Sequence, residues 1–348
     1  MGWLSFAAGH KGIGRFWEGA AMRIWGWMVL AAGLAAATSW GGSAALVQGV
    51  RSGFAQLETR GQGQVATVAA QGFPLAMGAA LQGVRLTDPA QGIDWQIPAL
   101  TLSAPLWAPL DWQADLALPQ NLLLGGVPFV VAGQGAKLDL ALGLGRDLPL
   151  RGGGLALREL SLTGAGAAVS SIAVDSVFLR VEPGNGAGRY EISGQAQAIT
   201  LPPRLAAALS PQALFPDRLD RVSLSASVAT EPPLALLART APRLTAVDIA
   251  AGELVWGGYR LGVSGALTVS EAGWPEGTLM LAISDWQAWL ALARGTGMLR
   301  ADQMRMLTAL AQGLAGQSAD GVIRLPVSFA GGTMFFAGLP IGPAPRLR

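Results

Sequence analysis

Hydrophobic and polar residues alternate along much of the chain after residue 72. The clearest case is Lys137–Leu144, where leucine occupies every second position from 138 to 144 and Asp139 lies between two of them. Successive side chains of a β-strand point to opposite faces, so this alternation predicts strands with one apolar and one polar face.

Gly, Pro and Asn separate the alternating segments, as turn residues do. Pro183–Gly186 predicts a hairpin between residues 172–181 and 190–199, and Gly331-Gly332 predicts a second hairpin. The apolar parity changes between Val174 and Val177, which predicts a bulge. The other predicted strands are residues 99–103, 111–118, 129–131, 155–163, 221–228, 245–249, 253–256, 261–269, 278–284, 321–329 and 333–336.

Four segments have helical signals instead. Asp285 can cap a helix over residues 286–294, and apolar residues recur with helical spacing over Leu299–Leu314. Residues 202–209 and 232–240 predict shorter helices. The fold class is therefore mainly β (α+β), with curved antiparallel sheets and a few covering helices, since no β-α-β alternation is present.

A long uncharged stretch, residues 24–50, precedes this region. About 20 helical residues cross a bilayer core, so the stretch predicts a transmembrane anchor. Tryptophans lie near both of its ends, where amphipathic rings favour the headgroup level. The three basic residues and single Glu18 before it predict a cytoplasmic N-terminus and an exported C-terminal part.

Two alternatives to a retained anchor remain open: a signal peptide cleaved after small residues such as Ala35–Ala37, and a buried helix of a soluble protein. The 23 residues before the apolar run favour the anchor, because signal peptides begin with a short basic segment. The expected organisation is a cytoplasmic tail (1–23), a transmembrane anchor (24–50), a partly helical linker (51–71) and a β-rich exported domain (72–348).

Composition adds to this interpretation. Hydrophobic residues make up 51% of the chain and charged residues only 13%, about half the usual share of roughly 25%. Apolar surface left exposed by such a domain usually marks a contact with lipid, membrane or protein. The net charge of +2 belongs to residues 1–23, so the exported part is neutral and gives no support to nucleic-acid binding.

The inventory of reactive residues excludes several kinds of site. The chain has no cysteine, and its one histidine is His10, before the anchor. The exported part therefore lacks Ser-His-Asp catalysis, thiol catalysis and ordinary zinc sites, and we expect neither a cofactor nor enzymatic activity. A carboxylate-based hydrolase remains a minor alternative, although no close cluster forms among Asp111, Asp115, Glu159, Asp175 and Asp285.

Aromatic residues are the remaining candidates for a binding site. Trp107 and Trp112 lie in a proline-rich segment, where they either fill a bend in the core or form an apolar rim that contacts lipid. The full set of candidate lipid-contact or core aromatics is Phe73, Trp107, Trp112, Phe335 and Phe336.

Four short motifs occur in the order Gly72-Phe73-Pro74, Pro105-x-Trp107-x-Pro109, Gly321-x-x-Arg324-Leu-Pro and Gly342-Pro-Ala-Pro345. In this order they resemble a domain-of-unknown-function family of membrane-anchored periplasmic proteins from alphaproteobacteria. The resemblance implies an inner-membrane anchor, a single pass and a periplasmic β-rich domain, and it brings no catalytic residues. The architecture is also similar to AsmA-like envelope proteins, whose curved sheets enclose an apolar groove.

These observations favour a non-enzymatic envelope protein that binds or shields lipid, such as phospholipid, in an apolar groove. The alternative is a scaffold with a filled core that binds an envelope protein partner. The interior of the sheet distinguishes them: an apolar face with room for a chain favours lipid, and a face packed by residues 203–240 and 285–314 favours the scaffold.

Overall fold

The computed structural model of the chain describes residues 43–72, 75–89, 92–164, 171–209, 214–238, 240–296, 301–315, 318 and 321–347. Within these residues, 18 strands form one sheet, and every strand pairing is antiparallel. The predicted mainly β fold with a few helices is thereby confirmed.

The strands are β1 Gly63–Gln64, β2 Thr67–Gln71, β3 Ala76–Asp88, β4 Ile93–Pro105, β5 Asp111–Leu116, β6 Gln120–Leu124, β7 Val127–Ala132, β8 Gly135–Leu142, β9 Leu150–Gly164, β10 Ile172–Pro183, β11 Arg189–Thr200, β12 Arg218–Glu231, β13 Arg243–Trp256, β14 Tyr259–Val269, β15 Pro275–Ile283, β16 Ile323–Ala330, β17 Thr333–Phe336 and β18 Leu339–Pro343. The helices in the described residues are α1 Ser43–Thr59, α2 Pro203–Leu209, α3 Trp286–Thr296 and α4 Ala301–Ala315.

The sheet has a branched first part and a simple second part. Strands β3 and β4 pair along their length, and their outer edges carry short strands placed end to end: β1 and β2 on β3, and β5 and β6 on β4. Strand β5 then pairs with β8 and β6 with β7, and both β7 and β8 pair with β9. From β9 to β18, each strand pairs with the next one in the chain.

The two faces of this sheet differ in polarity. Residues directly opposite each other in paired strands lie on the same face, so the register defines rows that cross the sheet. One row runs without a polar residue through Leu81, Leu100, Leu116, Ala136, Leu157, Val177, Ala196, Val222, Leu254, Leu261, Ile283 and Ile323. We call the face that carries this row the apolar face and the opposite one the polar face.

Helix α1 covers the apolar face at the start of the sheet. Its buried side chains recur with helical spacing, as expected for one face of an amphipathic helix, and they pack on β1, β2 and β3. The Arg51 guanidinium donates a hydrogen bond of 2.8 Å to the Val68 carbonyl of β2. The buried residues of α1 are Leu46, Val47, Val50, Phe54 and Leu57.

The folded domain therefore begins earlier than the sequence indicated. Residues 43–50, expected in the membrane anchor, belong to α1, and much of the expected linker 51–71 forms α1, β1 and β2. The apolar residues at 46, 47 and 50 also fit a membrane anchor in the sequence, because burial against a sheet and burial in a bilayer give the same hydrophobic signal. Among the described residues, no helix has the length and hydropathy that a membrane crossing needs, and the rest of the expected anchor lies outside them.

Most predicted elements of the second part are present. The hairpins β10–β11 and β16–β17 are confirmed, as are helices that match α2, α3 and α4. The predicted bulge near Val174 is absent from β10, because the register with β9 and β11 does not shift there. The irregularity lies on the two neighbouring strands, where Glu159 and Ala198 have φ values of 49° and 54°. The predicted helix over residues 232–240 is wrong, because 232–238 form an extended segment with turns.

Candidate functional site

The middle of the apolar face is open to solvent. Leu224 and Val222 of β12 are 40% and 36% exposed, although both lie in apolar rows. Leu224 is flanked in its row by Gly194 and Gly252, which have no side chain to shield it. We call this area the open section and define it by half-buried or exposed residues of β10, β12, β13 and β14: Val177, Leu179, Val222, Leu224, Leu254 and Val263.

The open section is bounded on one side by the cluster under α1. Leu81, Ala79 and Leu102 lie in the same rows as the open section, but they are fully or almost fully buried. They share one core cluster with Leu46 and Phe54 of α1. The contrast shows that the same face of the sheet passes from a packed core into an uncovered surface.

Helix α4 bounds the open section on the other side. Ile323 and Leu325 of β16 end the two central rows and are buried in a cluster with Ala311 and Leu314 of α4. Helices α2, α3 and α4 contact one another in series, and α4 contacts β16. In the described parts of residues 203–240 and 285–314, the helices therefore pack on one another and on β16, at this end of the face.

Residues 232–238, here called the strap, lie along one rim of the open section. The Leu234 amide donates a hydrogen bond of 2.8 Å to the Tyr190 hydroxyl. The Leu150 amide donates to the Leu234 carbonyl, and the Leu236 amide donates to the Leu148 carbonyl. Leu236 is buried in the core cluster below α1. The strap thus leaves β12 and returns to the start of β9.

Tyr190 is held in an environment that disfavours its ionised form. The side chain is buried, and burial raises the pKa of the phenol above its ordinary value, while the hydrogen bond with the Leu234 backbone acts in the opposite direction. A neutral hydroxyl can both accept from the Leu234 amide and donate to the Leu234 carbonyl, so the neutral form suits this contact.

Aromatic residues close the opposite rim. Phe215 lies 4.7 Å from Trp256, 5.0 Å from Tyr259 and 5.2 Å from Trp289 between ring centroids, in tilted arrangements. The Trp256 indole N–H donates to the Pro216 carbonyl at 2.8 Å, whereas the buried Trp289 Nε1 has no partner in the described residues. Since Trp289 belongs to α3, this cluster holds the helices against the end of the β13–β14 hairpin.

The polar face carries cross-strand ion pairs. Arg221 and Glu253 approach to 2.6 Å between β12 and β13, and Lys137 and Asp115 to 3.6 Å between β8 and β5. This side of the sheet is suited to water, as is usual for one face of an antiparallel sheet. The open section differs from this polar face because its partly exposed side chains are apolar.

A second cleft lies on the polar face next to the β4–β5 turn. It has a volume of about 670 Å³, and its lining includes Trp107, Asp111, Asp139, Arg180 and the backbone of Gly152. The Asp139 carboxylate lies over Gly154, where a β-carbon would approach its oxygens to 2.7 and 2.8 Å. The cleft combines an exposed indole with charges of both signs.

The structure separates the aromatic residues that the sequence grouped together. Trp112 is buried in the core cluster and Trp107 is 76% exposed, so only one of the two indoles fills the predicted bend. Phe336 packs in the clusters near β16, and Phe335 is half-buried on the polar face. Phe73 lies outside the described residues.

The candidate carboxylates are dispersed. Asp175 pairs with Arg218 at 3.0 Å, Glu159 accepts a hydrogen bond from Gln134, and Asp285 immediately precedes α3. The described ranges contain no group of three or more His, Cys, Asp or Glu residues that could hold a metal ion. Sequence reasoning missed Val222 and Leu224 as site residues, because alternation marks a face and does not show whether anything covers it.

Comparison with known proteins gives one family. The family model described as "Uncharacterized protein conserved in bacteria (DUF2125)" matches residues 40–345. No curated protein and no solved structure matches the chain. The matched range covers helices α1 to α4 and strands β1 to β18, so the chain belongs to this bacterial family.

Proposed function

We propose that this protein is a membrane-anchored protein of the bacterial envelope that holds the acyl chains of a lipid, such as a phospholipid, against the open section. The supporting observation is a continuous apolar face that is packed at both ends and uncovered between them. Exposed apolar surface of this kind is rare on domains without a partner and marks a binding site.

The dimensions of the open section suit an acyl chain. From β10 to β14 the face extends about 20 Å at ~4.8 Å per strand, and one leaflet of bilayer hydrocarbon is about 15 Å thick. The central rows contain no charged side chain to be desolvated by a hydrocarbon chain. The natural twist of antiparallel strands would curve this surface into a groove.

We infer binding and not catalysis because the surface consists of apolar side chains without a nucleophile or a general base. The anchor, in residues before α1, would place the domain on the periplasmic side of the inner membrane with the N-terminus in the cytoplasm. The charge pattern of residues 1–50 and the family resemblance support this proposed location.

Photocrosslinking of the full-length chain in native membranes tests the proposal. Benzoylphenylalanine replaces either Leu224 or Ser225, which are consecutive on β12, both exposed, and on opposite faces. We expect lipid adducts at position 224 and only background at 225, measured by mass spectrometry of the irradiated protein. Equal adducts at both positions, or none at 224, would overturn the proposal, and protein adducts at 224 would favour the scaffold.

A further inference from the structure

The four most exposed large hydrophobic side chains of the described residues lie on three loops. They are Leu144, Trp107, Leu75 and Leu106, with exposures of 91%, 76%, 68% and 53%. Leu75 precedes β3, Leu106 and Trp107 form the β4–β5 turn, and Leu144 lies between β8 and β9. Single exposed apolar side chains are common on protein surfaces, but a cluster of the most exposed ones is not.

Strand pairing and loop hydrogen bonds bring these three loops to the same end of the sheet. Ala76 at the start of β3 pairs with Pro105 at the end of β4, and the Leu106 amide bonds to the Leu75 carbonyl at 3.2 Å. The Leu142 amide bonds to the Leu110 carbonyl at 3.0 Å, which joins the β4–β5 turn to the end of β8. We call Leu75, Leu106, Trp107 and Leu144 the loop patch.

The N-terminus of α1 points toward the same end. Leu57, near the end of α1, lies beside Gly63 of β1, which pairs with Leu86 of β3. Arg51, earlier in α1, bonds to Val68 of β2, which pairs with Leu81 of β3. Going backward along α1 therefore means moving along β3 toward Ala76, where the loop patch lies.

We propose that the loop patch inserts into the interfacial zone of the phospholipid bilayer, so that the domain rests on the membrane with this end of its strands downward. Leucine tips and an exposed tryptophan are the side chains that partition into this zone. The uncharged residues 24–42 enter α1 at the same end, so an anchor there would hold the patch at the bilayer surface. The inference rests on the anchor of the proposed function and does not depend on acyl-chain binding.

Single-cysteine labelling tests this contact in the full-length chain. The protein has no cysteine, so a cysteine at one position gives a label without background. The test positions are Leu106 and Leu144 of the loop patch. The matched control is Phe178, which is 45% exposed on the polar face of β10. Leu34, in the expected anchor, is the reference position for membrane insertion. Each variant carries a polarity-sensitive nitrobenzoxadiazole label and is reconstituted in phosphatidylethanolamine–phosphatidylglycerol vesicles, with and without nitroxide-labelled lipid.

We expect blue-shifted emission and quenching by the nitroxide lipid for labels at 106 and 144, and solvent-like emission without quenching at 178. Quenching at 34 without quenching at 106 and 144 would overturn the inference and leave the anchor standing. Equal quenching at 106, 144 and 178 would also overturn it, because the contact would not be confined to the patch. Quenching at 106 and 144 but not at 34 would support the patch and contradict the anchor.

Discussion

The Tyr190 hydroxyl and the Leu234 backbone form the side-chain contact between the strap and β11, with the amide nitrogen 2.8 Å from the phenolic oxygen. We expect Tyr190→Phe to reduce the free energy of unfolding by about 1 kcal/mol, because the partly buried Leu234 amide loses its acceptor. Hydrogen exchange of residues 232–238 should rise most. Urea unfolding measures the loss, and Tyr259→Phe, at the other tyrosine of the chain, is the control; an equal loss in both variants would contradict this role.

The same tyrosine predicts a dependence of stability on alkaline pH. Burial raises the folded-state pKa of Tyr190 above its usual value, so the stabilisation is complete below the unfolded pKa of about 10 and is lost as pH rises through the folded pKa. Unfolding curves between pH 8 and pH 11 should show a decline in the wild type that is smaller in Tyr190→Phe. An unchanged decline in the variant would assign the effect to other groups.

Gly252 predicts a steric effect within the open section. A β-carbon at this position would lie 2.5 Å from Cγ1 of Val263, whereas one at Gly194 would have its nearest contact at 3.3 Å, with the flexible end of Leu179. We expect Gly252→Ala to destabilise by about 1–3 kcal/mol, because valine is stiff at χ1 and cannot yield, and Gly194→Ala to be close to neutral. Thermal unfolding checks both, and Val263→Ala should rescue Gly252→Ala.

Leucines of the apolar face should differ in their contribution to stability according to their cover. Leu81→Ala under α1 should cost about 2–5 kcal/mol, since its side chain is fully buried. Leu224→Ala in the open section should cost less than about 1 kcal/mol. Denaturant unfolding of lipid-free protein makes the comparison, and a large cost at Leu224 would mean that the open section is packed in solution.

Arg51 predicts how firmly α1 is held to the sheet. Its guanidinium bond to the Val68 carbonyl is charge-assisted, so Arg51→Gln should cost about 1–2 kcal/mol. Limited proteolysis within α1 should become faster. Arg60 lies just after the same helix, and its side chain bonds to no other described residue, so Arg60→Gln should leave the rate unchanged. Equal rates for both variants would contradict the prediction.

The alternation of side chains predicts most of the strands and the two-faced sheet, because period two is a local property of the chain, but it does not mark β1, β2, β3, β6 and β18. Leucine at every second position from 138 to 142 indeed lies in β8 with Asp139 on the other face. Leu144 continues the pattern but lies in the loop between β8 and β9, two residues after β8 ends. Alternation alone does not mark where pairing stops.

Long-range packing accounts for the other differences. Residues 232–238 contain the leucines and alanines of a helix, yet their backbone groups bond to Leu148, Leu150 and Tyr190, which are distant in sequence. The apolar side of α1 packs on β1, β2 and β3, but these contacts are with residues outside the helix, so the helix alone resembles part of a membrane span. The open section depends on Leu224 having no cover from the described part of the chain, and no pattern within β12 indicates this.

The pairing of β10 to β16 only with strands adjacent in the chain has a consequence for how such a domain can vary. Adding or removing one hairpin would preserve the direction of every later strand and the polarity of both faces. Helix α4 could therefore still pack on β16. The apolar surface can therefore change length in steps of two strands, about 10 Å each. Members of the family would then be expected to differ by even numbers of strands in this region, with α1 and α4 retained as fixed ends.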